Sequence, residues 1–129
     1  MQISLPSGSL SLERVRVMGI LNVTPDSFYD QGRYFTHDRA MERAREILAE
    51  GADILDIGGE KAGPGEPVSA EDEIERVIPV VQALRRETAV PISVDTLKPS
   101  VALAAMHAGA DIINSIGSFD DPELRQVAA

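Results

Sequence analysis

Apolar residues along the chain switch between two rhythms. Ile3 and Leu5 alternate with polar neighbours before Pro6-Ser7-Gly8, and Leu10 and Leu12 alternate after it. A period of two on either side of a Pro/Gly turn predicts a short β-hairpin over residues 2–12. Residues 15–21 then read as a strand, and residues 22–36 as a polar loop. Ala40, Met41, Ala44, Ile47 and Leu48 recur at the spacing of one helical face, which predicts a helix over 38–50 closed by Gly51. Residues 53–57 form a short apolar run. Residues 58–68 carry four Gly and two Pro and read as a loop.

Ser69-Ala70-Glu71-Asp72 has the form of a capping box. Behind it Ile74, Val77, Ile78, Val81 and Leu84 continue at helical spacing, with Pro79 expected to kink or break the helix. Residues 90–94 predict a third strand. Pro99 suits the first turn of a third helix with Val101, Ala105 and Ala108 on its face, ended by Gly109. Ile112 and Ile113 belong to a fourth strand near 111–115, and Asp121-Pro122 starts a last helix. Strands alternating with helices predict a parallel α/β sheet. Two architectures fit: a doubly wound open sheet or a (β/α)8 barrel. An internal echo bears on the choice. Gly51-Ala52-Asp53-Ile54-Leu55-Asp56 recurs as Gly109-Ala110-Asp111-Ile112-Ile113-Asn114, two βα units later. Alternate strands of a barrel feed the same interior layer, so Asp56 and Asn114 are expected at one height. The plainer reading makes Gly-Ala-Asp a common helix-to-strand turn.

The charge narrows the partners. The 129 residues are 43% hydrophobic and 26% charged, with a net charge of −9. That excess of acid argues against a nucleic-acid groove. Arg85 and Arg86 read as the solvated end of a helix. With no Cys there is no disulfide framework and no thiolate metal site or nucleophile. No apolar run reaches the length of a membrane span, so the cytoplasm is the expected setting and no membrane is expected as partner.

All four predicted strands end on a group that packing alone would not select: Asn22, Asp56, Asp95 and Asn114. In parallel α/β folds these ends line the ligand site. Carboxylates and amides there can read the N–H edge of a heterocycle, or hold a hard cation through oxygen. The competing reading is a helix cap after each strand, which is harder to sustain for all four together. Residues 57–60 and 62–65 are Gly-rich enough to bring backbone N–H groups to an anion, but form neither a P-loop nor a dinucleotide fingerprint. His37 and His107 have no second His at metal spacing and read as surface or packing residues.

Val17-Met18-Gly19-Ile20-Leu21-Asn22-Val23-Thr24-Pro25-Asp26-Ser27-Phe28-Tyr29-Asp30 resembles the first signature of the dihydropteroate synthase family. Gly51-Ala52-Asp53-Ile54-Leu55-Asp56-Ile57-Gly58-Gly59-Glu60 resembles the second. Ser93-Val94-Asp95-Thr96 and Ile112-Ile113-Asn114 are similar to its third and fourth strand ends. The resemblance implies the N-terminal half, about four βα units, of a TIM barrel: a hairpin over 1–14, then a truncated pterin-binding domain over 15–129. It implies a transferase of folate biosynthesis that joins 4-aminobenzoate to a dihydropterin methyl diphosphate and releases diphosphate. By the same resemblance Asn22 is the Mg2+ ligand, Asp95 and Asn114 contact the pterin with Asp56 beside them, and Asp30 covers the site during turnover. The complete form is expected to be a homodimer, and the 129 residues alone are expected to be inactive.

The chain departs from the family pattern. Where the second loop usually runs Glu-Ser-Thr-Arg-Pro-Gly, it has Glu60-Lys61-Ala62-Gly63-Pro64-Gly65, and the fourth strand has Asn114-Ser115 for Asn-Asp. The family's later Asp and Lys on the pterin, and its later Arg and His on the anion, have no counterpart here. Two other readings are therefore carried: a non-catalytic paralogue that binds pterin, and the pterin-binding domain of a corrinoid methyltransferase. The Asn22-to-Asp30 stretch argues against the second, because methyl transfer needs no diphosphate site.

Overall fold

The chain opens with the hairpin its alternation predicts. β1 (Gln2–Leu5) pairs antiparallel with β2 (Gly8–Ser11), and Leu10 is buried beneath it. The computed structural model describes residues 1–24, 33–59, 68–115 and 121–129, and the backbone alone over 33–36. After the hairpin come β3 (Met18–Asn22), α1 (Arg33–Ala49), β4 (Ile54–Gly58), α2 (Ala70–Glu87), β5 (Ile92–Asp95), α3 (Pro99–Ala108), β6 (Ile112–Asn114) and α4 (Pro122–Ala128). The last four strands form one parallel sheet in the order β3-β4-β5-β6, so spatial order follows chain order.

Residues in register in a parallel ladder point to the same face, and faces alternate along each strand. One face carries Leu21, Leu55, Ile57, Ile92, Val94 and Ile113, all buried. Ala40, Met41, Ala44 and Ile47 of α1 pack on it, as do Val77, Val80, Val81 and Leu84 of α2 and Ala105 of α3. Ile113 joins Ala102 of α3 and Leu124 of α4. Contact is close: a Cβ on Gly19 would collide with Ile47. The opposite face carries Met18, Ile20, Asn22, Asp56, Ser93, Asp95, Ile112 and Asn114, and Ile20 there is 63% exposed. A doubly wound sheet has helices on both faces, whereas a barrel keeps them all outside. The arrangement is that of the N-terminal half of a (β/α)8 barrel, with the bare face turned to the barrel interior. Among the described residues no helix is long and apolar enough to cross a membrane.

The N-terminal ends of the strands are pinned by two aspartates at matching positions of the internal echo. Asp53, just before β4, accepts from the Val17 N–H at 2.9 Å and from Arg14 and Arg16. Asp111, just before β6, accepts from the Ile92 N–H at 3.0 Å, from Arg85 at 2.9 Å and from the Ser7 N–H of the hairpin turn at 2.8 Å. Each ties its own strand to the start of its neighbour. Gly-Ala-Asp is thus more than a turn: its Asp latches adjacent strands.

Four sequence expectations need correction. β3 starts at Met18 instead of 15, since β4 offers no ladder partner before Ile54. α1 starts at Arg33, five residues early. α2 runs unbroken through Pro79, which is exposed, while Val77, Val80, Val81 and Leu84 on its other side are fully buried. Packing of that face outweighs the one missing N–H, which faces water. Arg85 is not a solvated helix end: besides Asp111 it binds the carbonyls of Gly109, Thr88 and Val90. Half of the predicted capping box is present: Ser69 Oγ accepts from the Asp72 N–H at 3.1 Å.

Candidate functional site

Three of the four residues predicted to end strands do so. Asn22 closes β3, Asp95 closes β5 and Asn114 closes β6, and together with Gly58 they occupy one level of the ladder. Asp56 does not end β4. The strand runs two residues further, to Gly58, which sets Asp56 deeper on the same face, opposite Ser93. All four side chains nonetheless share the interior face and its C-terminal half. Asp30 and the second-loop residues Lys61, Ala62 and Gly63 lie outside the described residues. His107 is exposed, as read from sequence.

Asp56 is 3% exposed. Its Oδ2 accepts from Asn114 Nδ2 at 3.3 Å, while its Oδ1 finds no partner among the described residues. Ser93 Oγ, beside it in register, is buried and equally unpartnered. A buried acceptor left open is costly unless something fills it, on the order of 1–3 kcal/mol. Asp95 is half-buried beside two more acids. Burial, then the charges of Asp56 and Glu73, hold its carboxyl above the usual range. This floor, at the C-terminal end of the interior face, is therefore rich in acceptors and electronegative. Such a surface suits a ring edge bearing several N–H donors.

Gly58 opens space above that floor. A Cβ there would sit 3.8 Å from Asn22 Oδ1 and 3.7 Å from Asp95 Cβ, so its absence leaves a notch between the two. Asn22 is exposed at the rim of this notch. Among the described residues no cluster of three or more His, Cys, Asp or Glu could hold a metal. The donor set, one amide oxygen in an open notch, fits Mg2+ only if water and phosphate oxygens complete its shell, which is how that ion is usually held.

Sequence reasoning missed a second tier behind the site. Glu73 of α2 is 1% exposed. It accepts from the Thr96 hydroxyl, 3.3 Å from Oε1 and 3.2 Å from Oε2, and from Lys98 Nζ at 3.3 Å. Arg76, one turn on, donates to the Gly59 carbonyl at 3.0 Å. Glu73 follows directly on Glu71 and Asp72 and so reads as part of an acidic helix start; the signal that singles it out is its spacing of four and seven residues from Val77 and Val80 on the buried face.

Fold and site together define a half-barrel with hydrogen-bonding groups concentrated at the C-terminal ends of its strands. The chain belongs to the pterin binding enzyme family, whose model it matches over residues 18–129. It is 53% identical over 126 residues to the dihydropteroate synthase of Bacillus subtilis, covering 96% of this chain and 44% of that one. Two solved structures are similarly close. One is Xanthomonas albilineans dihydropteroate synthase with 4-aminobenzoic acid: TM-score 0.84, 48% identity, 92% of this chain and 45% of that chain. The other is Burkholderia cenocepacia dihydropteroate synthase complexed with 7,8-dihydropteroate: TM-score 0.83, 46% identity, 98% and 41%. The chain spans under half the length of the relatives it matches.

Proposed function

We propose that the chain supplies the N-terminal half of a dihydropteroate synthase. The observation that carries this reading is the acceptor-rich floor: Asp56 with one buried oxygen open, Asn114 bonded to it, and Asp95 beside them. In this reading the three groups hold the donor edge of a dihydropterin. The 4-aminobenzoate nitrogen attacks the exocyclic CH2 carbon, the C–O bond to diphosphate breaks, and the amine loses a proton. Catalysis rests on placing the amine in line and on stabilising the leaving group. An acidic floor repels diphosphate, so the anion belongs at the Asn22 rim. A Mg2+ held there by Asn22 would neutralise developing charge on the leaving group. Asp30 would cover the site during turnover. The reading carries with it a homodimer as the complete protein's form, on family resemblance, and the cytoplasmic setting expected from the sequence.

One observation favours a second reading. Ala62 and Gly63 replace a hydroxyl and a planar guanidinium of the family's second loop, and Lys61 offers charge without the fork. A pterin-binding paralogue without synthase activity would fit that loss. Diphosphate release from the two substrates, measured on the protein with its barrel complete, separates the readings. Turnover establishes the synthase. Pterin binding without turnover establishes the paralogue.

A further inference from the structure

Glu73 touches neither the notch nor the floor, yet it is bonded to the turn that begins at Asp95. Its carboxylate accepts the hydrogen bond of the Thr96 hydroxyl, which leaves the lone pairs of Thr96 Oγ1 to accept from the Lys98 N–H at 3.1 Å. Lys98 is the N-cap of α3 and makes no side-chain cap of its own. The relay from Glu73 through Thr96 to Lys98 therefore closes the turn between β5 and α3. The ladder bond from the Thr96 N–H to the Asn114 carbonyl, at 3.0 Å, ties the same turn to β6. Glu73 also presses on the neighbouring loop: a Cβ on Gly59 would lie 3.0 Å from Glu73 Cγ, and Arg76 holds the Gly59 carbonyl. One turn of α2 thus holds both the Thr96–Lys98 turn and Gly59, the residue after β4.

We propose that Glu73 is a positioning residue for the ligand-binding carboxylate Asp95, acting through the Thr96 hydroxyl from behind the sheet. The inference rests on the pterin reading of the site and adds to it a residue outside the pocket. A buried carboxylate is expensive to keep, and apolar replacements of similar size are often neutral or stabilising. The first turn of α2 and the Lys98 ion pair ease that cost, and the bond to Thr96 gives the acid a positioning role besides.

The test uses the protein with its barrel complete and reads equilibrium binding of a pterin, steady-state kinetics and melting temperature. Glu73→Met removes the acceptor at similar length. Thr96→Val removes the donor from a different element, so an unfolded Glu73→Met protein leaves the test standing. Each is expected to weaken pterin binding roughly tenfold, the scale of one lost hydrogen bond, and to raise the KM for the pterin substrate while kcat changes little. Combined, they are expected to cost no more than Glu73→Met alone, which cuts the relay and also the Glu73–Lys98 ion pair. Glu73→Gln, which restores an acceptor, and Thr96→Ser, which keeps the hydroxyl, are expected within about threefold of the parent. Pterin affinity unchanged in both disrupting variants, with only the melting temperature altered, overturns the inference while leaving the functional reading intact. Independent, additive losses overturn it too. A parent that takes no pterin overturns the reading and the inference together.

Discussion

Asn114, the last residue of β6, donates its amide N–H to Asp56 Oδ2 of β4 at 3.3 Å, across an intervening strand. The two residues occupy matching places in the internal echo. In the ladder, Asp56 stands opposite Ser93 and Ser93 opposite Ile112, so Asn114 lies two residues ahead over two strands. One residue of stagger per strand is the shear of an eight-stranded barrel, and it brings side chains of alternate strands into one interior layer. The expected common height of Asp56 and Asn114 is met, although they are not in ladder register.

The pair predicts a specific cost. Asn114→Ala strips the donor from a buried carboxylate and is expected to destabilise the complete protein by about 1–3 kcal/mol in urea unfolding. Adding Asp56→Asn should recover part of that loss, because a neutral amide is less costly to leave half-paired. Equal stabilities for the parent and Asn114→Ala would show that the bond contributes nothing.

The echo shows which parts of the molecule are legible in sequence. The element order and the parallel pairing follow from local alternation and punctuation, because each depends on residues near in the chain, whereas the half-barrel is implied only by the family resemblance. Arg85 and Glu73 were misread or missed because their burial is made by other elements: Asp111 and the β5 lead-in for one, Thr96, Lys98 and Gly59 for the other. The first turn of α1 carries no acidic residue, so nothing in the sequence marks its start at Arg33. Asp56 was put at a strand end because Gly58 and Gly59 look like loop, yet Gly58 still pairs with Asn22 and Asp95.

Asp53 predicts an acid limit. The Val17 N–H, then Arg14 and Arg16, lower its carboxyl from 3.8 to about 2. A folded pKa below the unfolded one means the latch is fully stabilising above 3.8 and is lost as pH falls through about 2. Asp53→Asn should therefore lower the melting temperature at neutral pH, and the gap to the parent should close across that interval. A gap that stays constant down to pH 2 would remove Asp53 from the account of acid stability.

Asp95 predicts the opposite sign. Its carboxyl is raised by burial and by Asp56 and Glu73. Ionised Asp95 therefore costs stability above the folded pKa, and the cost disappears as pH falls through that value toward the unfolded one. Asp95→Asn is expected to melt higher than the parent at pH 7, to lose that advantage on acidification, and to bind pterin more weakly throughout. A lower melting temperature at pH 7 would contradict the electrostatic account.

The second loop gives a gain-of-function prediction. Ala62→Thr with Gly63→Arg returns a hydroxyl and a planar fork to the anion side, where charge-assisted hydrogen bonds are worth on the order of 1.5–3 kcal/mol each. In the complete protein the pair should raise the rate of diphosphate release. No gain would mean that Lys61 or another cation already holds the anion.

Residues 1–129 by themselves are predicted to self-associate and to show no turnover. Four parallel strands leave two open edges, β3 and β6, which a closed barrel would not have. The interior face is bare as well: Met18 is 43% exposed and Ile20 63%, beside the half-exposed Ile112. Apolar surface of that kind, next to unpaired strand edges, favours pairing with a second copy or aggregation. The candidate site, in the isolated residues, likewise draws on one wall of the barrel only. Sedimentation of the isolated 129 residues, run beside a diphosphate-release assay, is expected to show oligomers and no product. A compact monomer that releases diphosphate would show that four βα units suffice for both folding and catalysis.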